Sequence, residues 1–297
     1  MPYSRSSGDA AISMRVLWVA NLLNIVLDPI LIYGWGPIPA FGVQGAAMAT
    51  TIGRGIGVLF QVYLLFGKKY RIKFSIHDFV PNLKVMIHVT QLSLGGMAQN
   101  IIVTSSWIAL VRIISTFGSE VVAGYTIAIR ILIFTMLPAW GISNAASTLV
   151  GQNLGAGKPE RAARSAWITS IVNMVLLGIT GIIINLNPHF YLGLFIHDPV
   201  VINYGADALR IISYGYLSYA MGMVMVQSIN GAGDTFIPMF INVICFWCLE
   251  IPLAYTLSKV LHFNQEGVYY SVVIAETAMA ILGVTWFRLG KWKVKKV

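Results

Sequence analysis

A chain of 297 residues that is 57% hydrophobic and only 10% charged, with a mean hydropathy of +0.75, is too apolar for a soluble domain, where about a quarter of residues carry charge. The net charge of +9 does not point to nucleic acid, because the basic residues fall in short clusters between apolar runs, a pattern that suits membrane lipid headgroups. No HExxH or paired-His spacing suggests a metal, and the CxxC of Cys245 and Cys248 lies inside the apolar run INVICFWCLEIPLAY, where packing thiols belong.

The opening MPYSRSSGDA lacks the apolar core of a signal peptide, so membrane targeting is assigned to the spans that follow. With about 20 apolar residues needed per crossing, the pattern predicts an all-α polytopic membrane protein with eight transmembrane helices, at 14–34, 43–66, 86–117, 121–149, 165–186, 203–229, 238–257 and 268–287. The first contains NLLNIVLDPILIYG, in which Asn24 and Asp28 lie four residues apart on one helix face. An acid at the centre of a span costs about 2.5–3.5 kcal/mol on insertion scales, so Asp28 is a candidate site for a coupling ion or proton. The second span adds Thr50 and Thr51 as hydroxyl ligands and Arg54, whose mid-span guanidinium calls for Asp28 as partner or for a water-filled cavity.

In the third span Gly95-Gly96 marks a kink point and Gln99 a polar cavity residue; in the fourth, Pro138 marks another kink. The segment GAGKPERA between the fourth and fifth is not a phosphate loop, since Pro159 stands where Ser or Thr is required; it reads as a turn with Pro159 starting a helix and Glu160 in its first turn. Tyr219 and Met223, in the Tyr- and Met-rich sixth span, are candidate substrate-lining residues. Glu250 and Glu276, in the last two spans, are candidates for a second proton site or a cavity that receives substrate charge. Arg112, Arg130 and Arg210 sit near helix ends, where snorkelling accounts for them.

Lys and Arg collect on one side of this topology, in the clusters at Arg5 and Arg15, Lys68 to Lys84, Lys158 to Arg164 and Arg288 to Lys296, against Lys259 alone on the other. Both termini are therefore expected in the cytoplasm of a cell-membrane protein. An even number of crossings demands the same, and the topology in turn supports a sparse internal repeat, since both of its Gly-Asp turns fall on the cytoplasmic side. Gly8-Asp9 and Met14 recur as Gly233-Asp234 and Met239, and Gly42-Val43 recurs as Gly267-Val268, each at an offset of 225 residues. An offset containing six crossings keeps the orientation, which describes a parallel repeat of a six-helix unit. Only the last two helices of the first unit lie in this chain, so four helices are expected upstream of Met1 in a complete protein.

The run PAWGISNAASTLVGQNLGAGKPERAARSA, the two Gly-Asp turns and NIVLDPILIYG followed by GVQGAAMATTIGR together resemble the MATE family, the multidrug and toxic compound extrusion transporters. The resemblance implies a twelve-helix fold in two lobes. Residues 1–80 would be the last two N-lobe helices with a cytoplasmic linker, and 81–297 the six-helix C-lobe with a basic tail. It implies no enzyme and no cofactor, but a monomeric antiporter that exports amphipathic, mostly cationic organic compounds by alternating access, coupled to Na⁺ or H⁺. It also implies that Asn24 and Asp28 are half of the N-lobe cation site, which an Asp on the family's first helix would complete. A lipid-linked precursor flippase of the same broad fold is the alternative, although only Arg54 and Arg130 offer basic groups for a pyrophosphate; a non-transporting fragment is another. A membrane-embedded transferase would need clustered Asp or His, and the acids here are dispersed.

Overall fold

The computed structural model describes residues 10–66 and 83–294, and they are helical almost throughout. The chain divides into two compact units, Met1–Asn82 and Leu83–Val297. Gly8-Asp9 of the first Gly-Asp turn, the interlobe linker and most of its basic cluster, and Lys295 and Lys296 lie outside the described residues.

In the first unit α1 (Ala10–Tyr33) and α2 (Val43–Phe66) form a helical hairpin. Four small residues of α2, Gly45, Ala49, Gly53 and Gly57, recur at every fourth position and are all buried. A Cβ on Gly45 would overlap the Leu31 carbonyl, and one on Gly53 would lie 3.0 Å from the Ala20 oxygen. The two backbones approach this closely because the stripe carries no bulk, and dispersion then holds them where lipid removes any hydrophobic drive. The intervening turn is pinned by the Phe41 amide donating to Leu31 O at 3.0 Å and the Gly42 amide to Ile32 O at 3.1 Å.

The second unit contains α3 (Leu83–Ile114), α4 (Ser119–Gly155), α5 (Pro159–Leu186), the short α6 (Pro188–Gly193), α7 (Pro199–Tyr214), α8 (Tyr216–Gly231), α9 (Phe236–Val260) and α10 (Asn264–Leu289). Helix α4 packs on α5, α7 and α8, while α10 packs on α8 and α9. The core of this unit holds Leu177, Leu209, Tyr216 and the parallel rings of Tyr125 and Tyr269, whose centroids are 5.9 Å apart. Pro159 opens α5 with Glu160 in its first turn, as the sequence suggests.

The span pattern departs from expectation in three places. Among the described residues six helices are long and apolar enough to cross a membrane, and α7 and α8 add a seventh only if taken together, because a 54° bend at Gly215 breaks the span expected at 203–229. Helix α2, expected as a span, is fully helical but outside that set; Gln44, Thr50, Thr51, Arg54 and Gln61 interrupt its apolar surface. Gly95 does not interrupt α3, which stays helical from Leu83 to Ile114. Its missing side chain instead admits Thr235, which a Cβ would overlap.

Helix α9 is irregular in a different way. Val243–Glu250 and Thr256–Val260 are wound as π-helix on either side of Pro252. Proline lacks the amide that would continue the regular ladder, and π-turns of this kind are frequent near functional groups.

Candidate functional site

The acids of the two units are held differently. On α1 the Asn24 Nδ2 donates to Asp28 Oδ1 at 3.2 Å, and both side chains are half buried. The i, i+4 spacing alone sets this pair, since both residues face the same side of one helix. Asn24 also touches the small-residue stripe: a Cβ on Gly53 would lie 3.5 Å from its Cβ. The hydroxyls of Thr50 and Thr51 donate within α2, to Ala46 O at 2.9 Å and Ala47 O at 2.8 Å. Their protons are thereby occupied, while oxygen lone pairs remain for a cation.

Arg54 is exposed and forms no ion pair with Asp28, in contrast to Lys293, which pairs with Glu160 at 2.8 Å. The expected Asp28 partnership fails because the contact face of α2 runs through Gly53 and Gly57, and Arg54 is turned about 100° from Gly53 around the helix.

In the second unit Glu250 is 4% exposed and Glu276 is 8% exposed, each on one of the two packed helices α9 and α10. The buried Ser106 hydroxyl of α3 donates to Glu250 Oε2 and lies 3.3 Å from Phe246 O. Glu276 Oε2 is buried with no hydrogen-bond partner. A lone buried acceptor costs about 1–3 kcal/mol and is an open valence for a proton or a cation.

Gln99 belongs to a third arrangement. It exchanges two amide hydrogen bonds with Asn230, each 3.2 Å, and donates to Thr235 O at 3.0 Å. Asn230 donates on to Gln227 at 3.0 Å, and Gln227 to Asn144 at 3.3 Å. The result is a chain of four amides tying α3, α8 and α4. Tyr219 on the same α8 is half buried and accepts from Trp140 Nε1 at 3.3 Å, whereas Met223 is buried.

The MatE family model matches residues 97–256, from α3 through most of α9. The chain belongs to the MATE family. It is 29% identical over 298 residues to a probable multidrug resistance protein NorM of Thermotoga maritima, covering 99% of this chain and 63% of that protein. It is 24% identical over 253 residues to an FAD transporter of Shewanella oneidensis, covering 84% of this chain and 55% of that protein. Among solved structures it resembles a MATE protein in its straight conformation, with a TM-score of 0.88 at 26% identity, covering 96% of this chain and 64% of that one. It also resembles an outward-facing multidrug resistance MATE family transporter, with a TM-score of 0.84 at 26% identity, covering 95% and 62%. The chain thus spans under two-thirds of the length of the MATE proteins it matches.

The matched MATE segment holds Gln99, Tyr219, Met223 and Glu250, while Asn24, Asp28, Thr50, Thr51, Arg54 and Glu276 flank it. Sequence reasoning overlooked Ser106, Asn144, Gln227 and Asn230. The three-residue spacing of Gln227 and Asn230 places them on one helical face, a signal that was legible. Ser106 carried none, because a serine in an apolar helix reads as packing until its distant partner is known.

Proposed function

We propose that this chain contributes to a cation-coupled antiporter that exports amphipathic, mostly cationic organic compounds by alternating access. In this reading α1 and α2 are the last two helices of an N-lobe, α2 is also a membrane crossing, and the second unit is a complete six-helix C-lobe. The observation that carries the proposal is the Asn24–Asp28 pair, an acid with its amide partner one turn away on a helix apolar enough to span a membrane. Na⁺ or H⁺ binds at Asp28 with help from Asn24 and a lone pair of Thr50 or Thr51, and Arg54 contributes positive potential without pairing. Both termini face the cytoplasm. The mechanism is population shift: coupling ion and substrate must differ in affinity between inward-open and outward-open states, and unless they do, binding drives nothing. The C-lobe offers a second station at Glu250 and Glu276, where the unpartnered Glu276 oxygen accepts a proton or the positive end of a substrate.

The test compares wild type with Asp28→Asn at equal expression, reading efflux of a fluorescent organic cation from cells under an imposed Na⁺ or H⁺ gradient. Loss of gradient-dependent efflux in the variant, with apparent Tm held, is expected, and the gradient that drives the wild type identifies the ion. Unchanged coupling in Asp28→Asn would reduce Asp28 to a structural residue.

A further inference from the structure

Helix α10 ends at Gly290, whose φ of 71° reverses the chain so that Trp292 folds back on Phe287. Their rings stack at 4.5 Å, and the Trp292 Nε1 donates to the Phe287 carbonyl at 2.7 Å. Trp167 of α5 meets Phe287 edge-on at 6.2 Å. These three rings floor a crevice of about 460 Å³ between the first turns of α5 and the end of α10. The Arg288 guanidinium lies over Trp167 at 5.5 Å, and Arg164 opens on the same crevice. Lys293 is neutralised by Glu160, whereas no ion pair among the described residues engages Arg164 or Arg288, which leaves the crevice positive.

One direction out of the crevice is apolar. Arg164, Ile168 and Ile171 follow one another along a single face of α5, and the two isoleucines are 52% and 59% exposed. The same face continues through exposed Val175, Ile179, Ile182 and Leu186 to the far end of the helix. A cationic, aromatic-floored cup at the head of an uninterrupted apolar track has the shape of a two-part ligand, with an anionic head and hydrocarbon tails. A soluble anion would have no use for the track, and a zwitterionic headgroup would bring a cation to a site that already holds two.

We propose that this crevice is a headgroup site for an anionic phospholipid, its phosphate held by Arg164 and Arg288 and its acyl chains laid along Ile168 and Ile171. The site is separate from the ion-coupling residues and does not depend on the transport reading. Aromatic residues at a membrane interface commonly place themselves there. Here they also fix a guanidinium, which turns a belt into a pocket.

The test titrates the full chain in detergent with brominated phosphatidylglycerol or brominated phosphatidylcholine and reads tryptophan quenching, which Trp167 and Trp292 supply at the site. Phosphatidylglycerol is expected to quench at about fivefold lower mole fraction or less. The double variant Arg164→Gln/Arg288→Gln should erase that preference, Arg164→Lys/Arg288→Lys should retain most of it, and Arg112→Gln/Arg210→Gln should leave it intact. Equal quenching by the two lipids in the wild type overturns the proposal, as does a preference that survives the double glutamine change. Displacement of the lipid by millimolar inorganic phosphate would make the site one for soluble anions and overturn the lipid assignment.

Discussion

On α1, Asp28 is half buried and its partner Asn24 stands one turn away on the same helix, while on α9 Glu250 is fully buried and its partner Ser106 comes from 144 residues away on α3. The two helix pairs α1–α2 and α9–α10 occupy matching places in the 225-residue repeat, with Glu276 at the position of Thr51. Thr51 spends its hydroxyl on its own helix; Glu276 leaves an oxygen unspent. The first pair is thus self-contained, its polar groups satisfied locally. The second is knitted into its unit, and Glu250 answers to a residue on another helix. A local arrangement is free to exchange a ligand without disturbing the fold, whereas a knitted one couples any change in occupancy to helix packing.

This contrast can be broken experimentally. The largest effect on transport is expected from Asp28→Asn, with gradient-driven efflux falling at least tenfold, which is about 1.4 kcal/mol or more of coupling, and apparent Tm nearly unmoved; a large fall in Tm would show that α1 is not self-contained. Among effects on stability Gly45→Val should be the largest, forcing a branched side chain against the Leu31 carbonyl and costing about 2–3 kcal/mol in thermal unfolding. Its counterpart Gly231→Val, aimed at the Ser147 backbone in the second unit, should cost a similar amount, because close backbone packing is common to both units. Ser106→Ala should cost about 1–3 kcal/mol by stripping Glu250 of its buried donor, and Ser106→Thr should recover part of it. Thr51→Val should change stability by only about 0.5 kcal/mol or less, as the hydroxyl is exposed and bonded to its own helix.

Much of this architecture is written in local signals. Pro159 after Lys158, with Glu160 next, marks the start of α5 by chemistry that needs no partner. The Asn24–Asp28 contact is likewise fixed by helical spacing. What stayed hidden is what depends on remote neighbours. The bend at Gly215 lies within the apolar stretch IISYGYLSYAMG, so hydropathy runs straight across it. An isolated glycine in an apolar helix does not announce a break, and here Val273 of α10 packs against it: a Cβ on Gly215 would lie 3.3 Å from that side chain. The π-turns before Glu250 and the Gln99–Asn230 pair, 131 residues apart, are invisible for the same reason. Arg54 is the opposite case: charge alone suggested a partner in Asp28, and the rotation of α2 set by its glycine stripe denies it.

The bend at Gly215 makes α8 a lever. Asn230 lies 15 residues beyond the pivot, about 22 Å along a rigid helix, so each degree of bend swings it by about 0.4 Å. Three or four degrees carry the tip by more than an ångström, enough to part the 3.2 Å amide pair with Gln99. A swing of α8 about Gly215 by that amount would therefore require the Gln99–Asn230 pair to part or Gln99 to follow it.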